Sequence, residues 1–201
     1  MTGPARRRVR TVGCVDDIAG THPIGPESGR ILLRTGRAGL AAKAGHDLAI
    51  EVTRWSGEVT VPAGDDLGTA TLTAELDLGS LAVREGSGGA KPLSDKDRRD
   101  IEAQARKILG GGAGTTARFA SSKVIPSGDR GAIEGTLTLR GQSRPARLDV
   151  TRTAPGRFRA TATVRQTDFG ITPYSGFFGA LKLRDDIGVE ADVRLGSAAG
   201  Q

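Results

Sequence analysis

Apolar and polar residues alternate with a period of two in nine separate segments of this chain, which restricts it to strands that each bury one face. The segments are 30–35, 47–53, 58–61, 69–78, 117–124, 132–140, 146–151, 158–166 and 187–195. In the fourth, Leu72, Ala74, Leu76 and Leu78 oppose Thr71, Thr73, Glu75 and Asp77. In the sixth, Ile133, Leu137 and Leu139 oppose Glu134, Thr136, Thr138 and Arg140. Pro62 stops the third, and Gly64, Asp65, Asp66 and Gly68 read as a hairpin connection.

Only residues from about 94 to 109 have helical spacing. Ser94 is an N-cap candidate, with Asp97 at the third helical position giving a weaker form of the capping box. Asp95 and Asp97 sit where the helix dipole favours negative charge. Ile101, Ala105 and Ile108 recur on one face, Leu109 adjoins them, and Gly110 to Gly112 end the helix. One helix cannot cover nine strands, so the sheet must bury its apolar face against another sheet or by closing on itself. Many inward positions are small (Ala74, Gly135, Ala146, Ala160, Ala162), which suits a ligand-holding barrel better than two packed sheets. The expected fold is all-β: a closed antiparallel, lipocalin-like β-barrel of about eight or nine strands, with one helix in an inter-strand connection.

Charge and composition exclude several functions. The 201 residues carry a net charge of +6, but Arg6, Arg7, Arg8 and Arg10 supply four of those charges and the remainder is nearly balanced. Nucleic-acid binding concentrates basic residues on a folded face, and here Arg alternates with acidic residues, so no nucleic-acid partner is expected. No run approaches the roughly eighteen apolar residues of a membrane-spanning helix. The single Cys14 forms no internal disulfide, and with only His22 and His46 there is no zinc-type cluster, so neither metal nor cofactor is expected. The stretch between the arginines and Cys14 is too short and polar for a signal sequence, so a cytoplasmic location is expected. Residues 1–17 read as a basic disordered tail, 18–196 as the barrel and 197–201 as a flexible end.

Enzyme motifs fail in context. Gly112 to Ala117 fits GxGxxA, but it follows a helix and precedes a strand, the reverse of a dinucleotide-binding turn. His46 and Asp47 are adjacent on a strand and point to opposite faces, so they do not form a dyad, and no catalytic residue is assigned. Four of the seven aromatics (Phe169, Tyr174, Phe177, Phe178) fall within ten residues in a stretch rich in Gly and Pro. This reads as an irregular loop that either plugs the barrel or forms a lid over an apolar ligand. Lys182 and Arg184 follow it and suit an anionic head group.

The segments GRILLRTGRAGLAAKAGHDLAIEVTRWSGEV, LSDKDRRDI, ARFASSKV, IEGTLTLRGQSRPARLDV, VRQTDFGI and LKLRDDIGVEADVRL, in that order, resemble the YceI-like family of polyisoprenoid-binding proteins over about residues 18–195. The most specific parts are Gly135 to Pro145 and Asp168 to Ile171. The resemblance implies a long barrel around a tunnel for a polyprenyl or other long-chain amphiphile, with no catalysis established for the family as a whole. It assigns Gly135, Leu137, Leu139, Gly141, Arg144 and Pro145 to a structural strand-turn-strand unit, and Phe169, Gly170 and Ile171 to the end of the penultimate strand.

The expected lining, lid and mouth are Leu48, Ile50, Leu72, Leu76, Phe119, Ile133, Leu137, Phe158, Phe169, Ile171, Tyr174, Phe177, Phe178 and Leu181. Head-group contacts are expected from His46, Arg165, Lys182 and Arg184. The expected function is non-enzymatic binding, sequestration or transport of a polyisoprenoid or fatty-acid-like lipid. The alternative is a barrel filled by its own side chains that works as a stress-associated or protein-interaction module. A homodimer is left open.

Overall fold

A computed structural model describes residues 18–64, 66–110 and 115–196, without the side chain of Phe177. The tail with Cys14, Asp65, the glycines Gly112 and Gly114, and residues 197–201 lie outside the described set. The elements run β1 Gly20–Ile24, β2 Gly29–Thr35, β3 Arg37–Ala38, β4 His46–Val52, β5 Trp55–Val61, β6 Thr71–Asp77, β7 Leu81–Gly88, α1 Asp95–Leu109, β8 Thr116–Ser127, β9 Arg130–Leu139, β10 Gln142–Ala154, β11 Arg157–Arg165, β12 Ser175–Gly176, β13 Leu181–Leu183 and β14 Asp186–Arg194.

The main sheet is antiparallel throughout and has eleven strands in the order β1-β5-β6-β8-β9-β10-β11-β14-β2-β4-β7, rather than eight or nine. The additional strands carry weak alternation. In β1 one of the two buried positions is His22, whose Nε2 donates to the carbonyl of Ile18 at 2.7 Å. In β7 the apolar positions stop at Val83 and give way to glycines. Among the described residues the ladder ends at β1 and β7, so the hydrogen bonding does not show the continuous ring expected of a closed barrel. It curls, and its strands share one interior. A second sheet, β12-β13-β3, lies at one end, so the aromatic stretch expected to be irregular contains a short strand.

Only Thr53 and Arg54 separate β4 from β5, although these strands sit near opposite ends of the order. The joint is tied to the β6–β7 turn. Thr53 N–H donates to Ser80 O (3.1 Å), Asp77 N–H to Arg54 O (3.0 Å) and Arg54 N–H to Ser80 Oγ (2.9 Å). The Asp77 carboxylate accepts from Arg54 Nη2 and from Gly79 N–H, each at 2.7 Å. Hydrogen bonds from Arg54 first, and from Gly79 next, hold this carboxyl below its ordinary value of 3.8. Its stabilising effect is therefore present above the unfolded pKa and lost as pH falls through the lower folded value. Asp77→Asn is expected to cost about 0.5–1 kcal/mol at neutral pH, given the exposure of Arg54. Urea titrations should show the gap from the parent closing below about pH 4.

The helix forms where its capping residues put it. Ser94 Oγ accepts from Asp97 N–H, the Asp97 side chain accepts from Ser94 N–H, and Gly110 ends the helix at φ +124°. The helix covers the outer edge of β7, whose unpaired groups would otherwise be exposed. Glu102 Oε1 accepts from Val83 N–H (2.8 Å), and Arg98 Nη1 donates to the carbonyls of Val83 (3.2 Å) and Arg84 (3.0 Å). Among the described residues no helix is long and apolar enough to cross a membrane.

Candidate functional site: an apolar cavity inside the curled sheet

The alternation sorts side chains to two sides of the sheet. On β6, Leu72, Ala74 and Leu76 face inward, as do Ala146, Leu148 and Val150 of β10 and Phe158, Ala160, Ala162 and Val164 of β11. Outward positions carry cross-strand ion pairs, such as Arg118–Glu75 at 2.8 Å and Arg159–Asp192 at 2.9 Å. Exposed pairs of this kind are screened by solvent and contribute little, so the buried face dominates the energetics. Inside, the small residues leave a cavity of about 820 Å³. Its centre is therefore not filled by the protein's own side chains.

Of the fourteen residues expected to line the tunnel, Leu48, Ile50, Leu72, Leu76, Phe119, Ile133, Leu137, Phe158, Ile171, Tyr174 and Leu181 border this cavity. The Phe119 ring also lies over Gly135, where an added Cβ would come within 2.7 Å of Cζ and run into the carbonyl of Ala120. The glycine thus lets β8 and β9 pair closely beneath an aromatic side chain.

The proposed lid is different. Phe169 is buried in a separate apolar cluster with Leu78, Ala117, Leu139 and Ile171, because the short 3-10 turn Gln166–Phe169 folds it back over the sheet end. Phe178 points to solvent and is fully exposed. Phe177 lies outside the described side chains. Of the three whose side chains are described, only Tyr174 reaches the cavity, brought there beside β12 and β13.

Of the four expected head-group contacts, only His46 borders the cavity. Its Nε2 donates to the carbonyl of Lys91 at 2.8 Å, and its ring sits where Gly89 leaves room. Arg165 instead lies beside Asp186 (3.5 Å) and Asp185 (3.9 Å). Lys182 is exposed on β13, and the Arg184 side chain lies against Gly36, within 2.9 Å of where a Cβ would stand. Both β13 and the residues after it alternate, which turns these cations away from the interior.

The structure adds residues that sequence reasoning missed. Arg37 borders the cavity, donating through Nη1 to Gly45 O at 2.5 Å and lying 3.7 Å from Asp47 Oδ2. Gly88, at φ +77°, leaves space for that guanidinium. Helix α1 contributes Ile101, Gln104, Ala105, Ile108 and Leu109, so it is a wall of the cavity as well as an edge cover. The i, i+4 spacing of Ile101 and Ala105 was a usable signal for a buried helix face; nothing local said what that face would meet. Thr35, Arg37, His46, Gln104 and Tyr174 are polar lining residues, as are Asp129, Arg130 and Arg152. Asp100 and Gln166 also reach it, and between these polar groups the wall is apolar, mostly aliphatic with Trp55, Phe119 and Phe158. Such a site offers extensive apolar burial and a few orienting polar groups, the usual make-up of a ligand pocket.

The sequence profile of the YceI-like domain matches residues 35–195. Among solved structures, Burkholderia cenocepacia BcnA superposes with a TM-score of 0.57 at 15% identity, covering 82% of this chain and 94% of that one. The polyisoprenoid binding domain from Saccharophagus degradans, described as implicated in plant cell wall breakdown, gives a TM-score of 0.52 at 10% identity, covering 89% and 99%. At these identities the likeness is one of fold. No curated protein matches the chain.

Proposed function

Since the chain belongs to the YceI-like domain family, we propose that it is a non-enzymatic carrier that binds, sequesters or transports a polyisoprenoid or fatty-acid-like lipid inside its sheet. The observation that carries this reading is the cavity of about 820 Å³ with a predominantly apolar wall. The family match and the polyisoprenoid binding domain among its structural neighbours support it. We take residues 18–196 as one domain. We also take the sheet to wrap fully through the β4–β5 joint, since residues from both ends of the strand order, such as Ile24 and Leu81, border the same cavity.

Burial of the tail dominates affinity. Each methylene contributes about 0.8 kcal/mol, so an isoprene unit contributes on the order of 3 kcal/mol after chain-ordering losses. An exposed rim ion pair adds only about 0–1 kcal/mol. At about 30 Å³ per water-sized atom, the 820 Å³ interior holds roughly 27 non-hydrogen atoms, or about five isoprene units.

Affinity for a series of prenyl alcohols should therefore climb steeply with length and level off near five units. Titration calorimetry on the delipidated protein measures this, and mass spectrometry of lipids extracted from the purified protein identifies what it carries. An empty extract together with no binding across C15 to C40 prenyl compounds would sink the carrier reading.

A further inference from the structure

Leu40 and Phe178 stand out as large apolar residues left fully open to solvent, with relative exposures of 100% and 113%. They belong to adjoining turns. Ala41 N–H donates to Ala180 O at 2.9 Å, Gly39 packs against the same carbonyl, and Phe178 is two residues before it. Phe178 has φ +55°, ψ +32°, a left-handed conformation that bulky residues rarely adopt. The turn thus accepts conformational strain while leaving an aromatic ring in water, a double cost that the folded chain does not recover internally.

The same turns adjoin the cavity, since Ala44, Gly45, Tyr174 and Leu181 beside them border the interior. Their neighbours are basic. Lys43, Lys182 and Arg184 are exposed, and none makes an ion pair with a described residue. The nearby carboxylates are engaged: Asp47 accepts from Arg37 N–H at 2.8 Å, and Asp185 accepts from Thr167 N–H at 2.9 Å and Thr167 Oγ1 at 2.5 Å.

We propose that this rim docks on the surface of a lipid bilayer containing anionic lipids, with Leu40 and Phe178 entering the headgroup region and Lys43, Lys182 and Arg184 facing the phosphates. Two apolar tips ringed by uncompensated cations combine the two contributions that hold a protein at such an interface. The cationic charge selects the bilayer over a second copy of the chain, whose own rim would repel it. Docking rests on the surface alone. Its consequence, passage of an amphiphile into the cavity without crossing water, rests on the carrier reading.

Co-sedimentation of the full chain with phosphatidylcholine vesicles, with and without phosphatidylserine, tests the proposal. The protein should pellet with the mixed vesicles, and added salt should weaken binding. Lys43→Glu or Lys182→Glu should each weaken it by on the order of fivefold or more. Leu40→Ser with Phe178→Ser should lose on the order of tenfold or more. Phe178→Gly removes the strain with the ring, so it should weaken binding while raising Tm by about 2–4 °C.

Absence of binding to mixed vesicles, or equal binding by the Ser variant, overturns the proposal. So does a dimer in sedimentation equilibrium that the Ser substitutions dissolve. Binding of a C20 prenyl alcohol in solution is a separate readout that the rim variants should leave unchanged. Its absence in the parent would count against the carrier reading and leave docking standing.

Discussion

Substituting Phe for Ala74 and Ala160 together should reduce affinity for a long prenyl chain by at least about 100-fold while leaving the protein folded and no less stable. Both alanines border the cavity, on β6 and β11, four strands apart in the sheet. Rings projecting from both positions would displace at least one isoprene unit from the interior. That loss, on the order of 3 kcal/mol, corresponds to about two powers of ten in Kd. Adding atoms to a filled core usually costs about 1–3 kcal/mol, whereas filling empty space restores contacts that a void forfeits. Stability and binding therefore respond in different directions only if the centre is hollow. Calorimetric titration with a C25 prenyl alcohol and a thermal melt of each variant check this. Unchanged affinity, or a melt lowered by the amount expected of overpacking, would count against the hollow interior.

Trp55→Ala is expected to be the most damaging single truncation of the wall, costing about 3–5 kcal/mol. Trp55 opens β5 immediately after the joint with β4, is 7% exposed, and lies against the backbone of Gly25, whose added Cβ would stand 3.4 Å from the Trp55 carbonyl. Removing the indole extends the cavity beside the β4–β5 joint, where strands from opposite ends of the order meet. Against a typical total stability of about 5–15 kcal/mol, this loss leaves a marginal fold. Urea unfolding should show a lower midpoint at unchanged slope, since the surface exposed on unfolding hardly changes. Saturation with a prenyl ligand at about 100 times its Kd should return roughly 2.7 kcal/mol, because ligand binds only the folded state. A loss below about 1 kcal/mol would mean that the indole does not hold the joint together.

Much of the architecture is written locally. Which side of each strand faces inward follows from a two-residue period. The cavity wall contributed by Leu72, Ala74, Leu76, Ile133 and Leu137 could thus be read before any three-dimensional information. Helix α1 was equally legible, because Ser94, Asp97 and Gly110 act within one turn of their own positions. By contrast, β1 and β7 were not legible: β1 is only five residues long, the apolar residues of β7 stop at Val83, and the places of both depend on partners distant in sequence. The aromatic loop failed for a related reason. Composition marked Phe169, Tyr174 and Phe178 as a group, yet one is buried in a second cluster, one borders the cavity and one faces solvent.

The sequence by itself therefore determined sidedness, the helix and the antiparallel all-β class, since each rests on interactions between residues a few positions apart. Only the tertiary structure decided that small inward side chains add up to open space, that α1 forms part of its wall, and that Arg37 rather than Arg165, Lys182 or Arg184 stands at its edge. Those outcomes depend on how the curvature of the sheet brings distant segments together, and no local pattern encodes the distance across an interior.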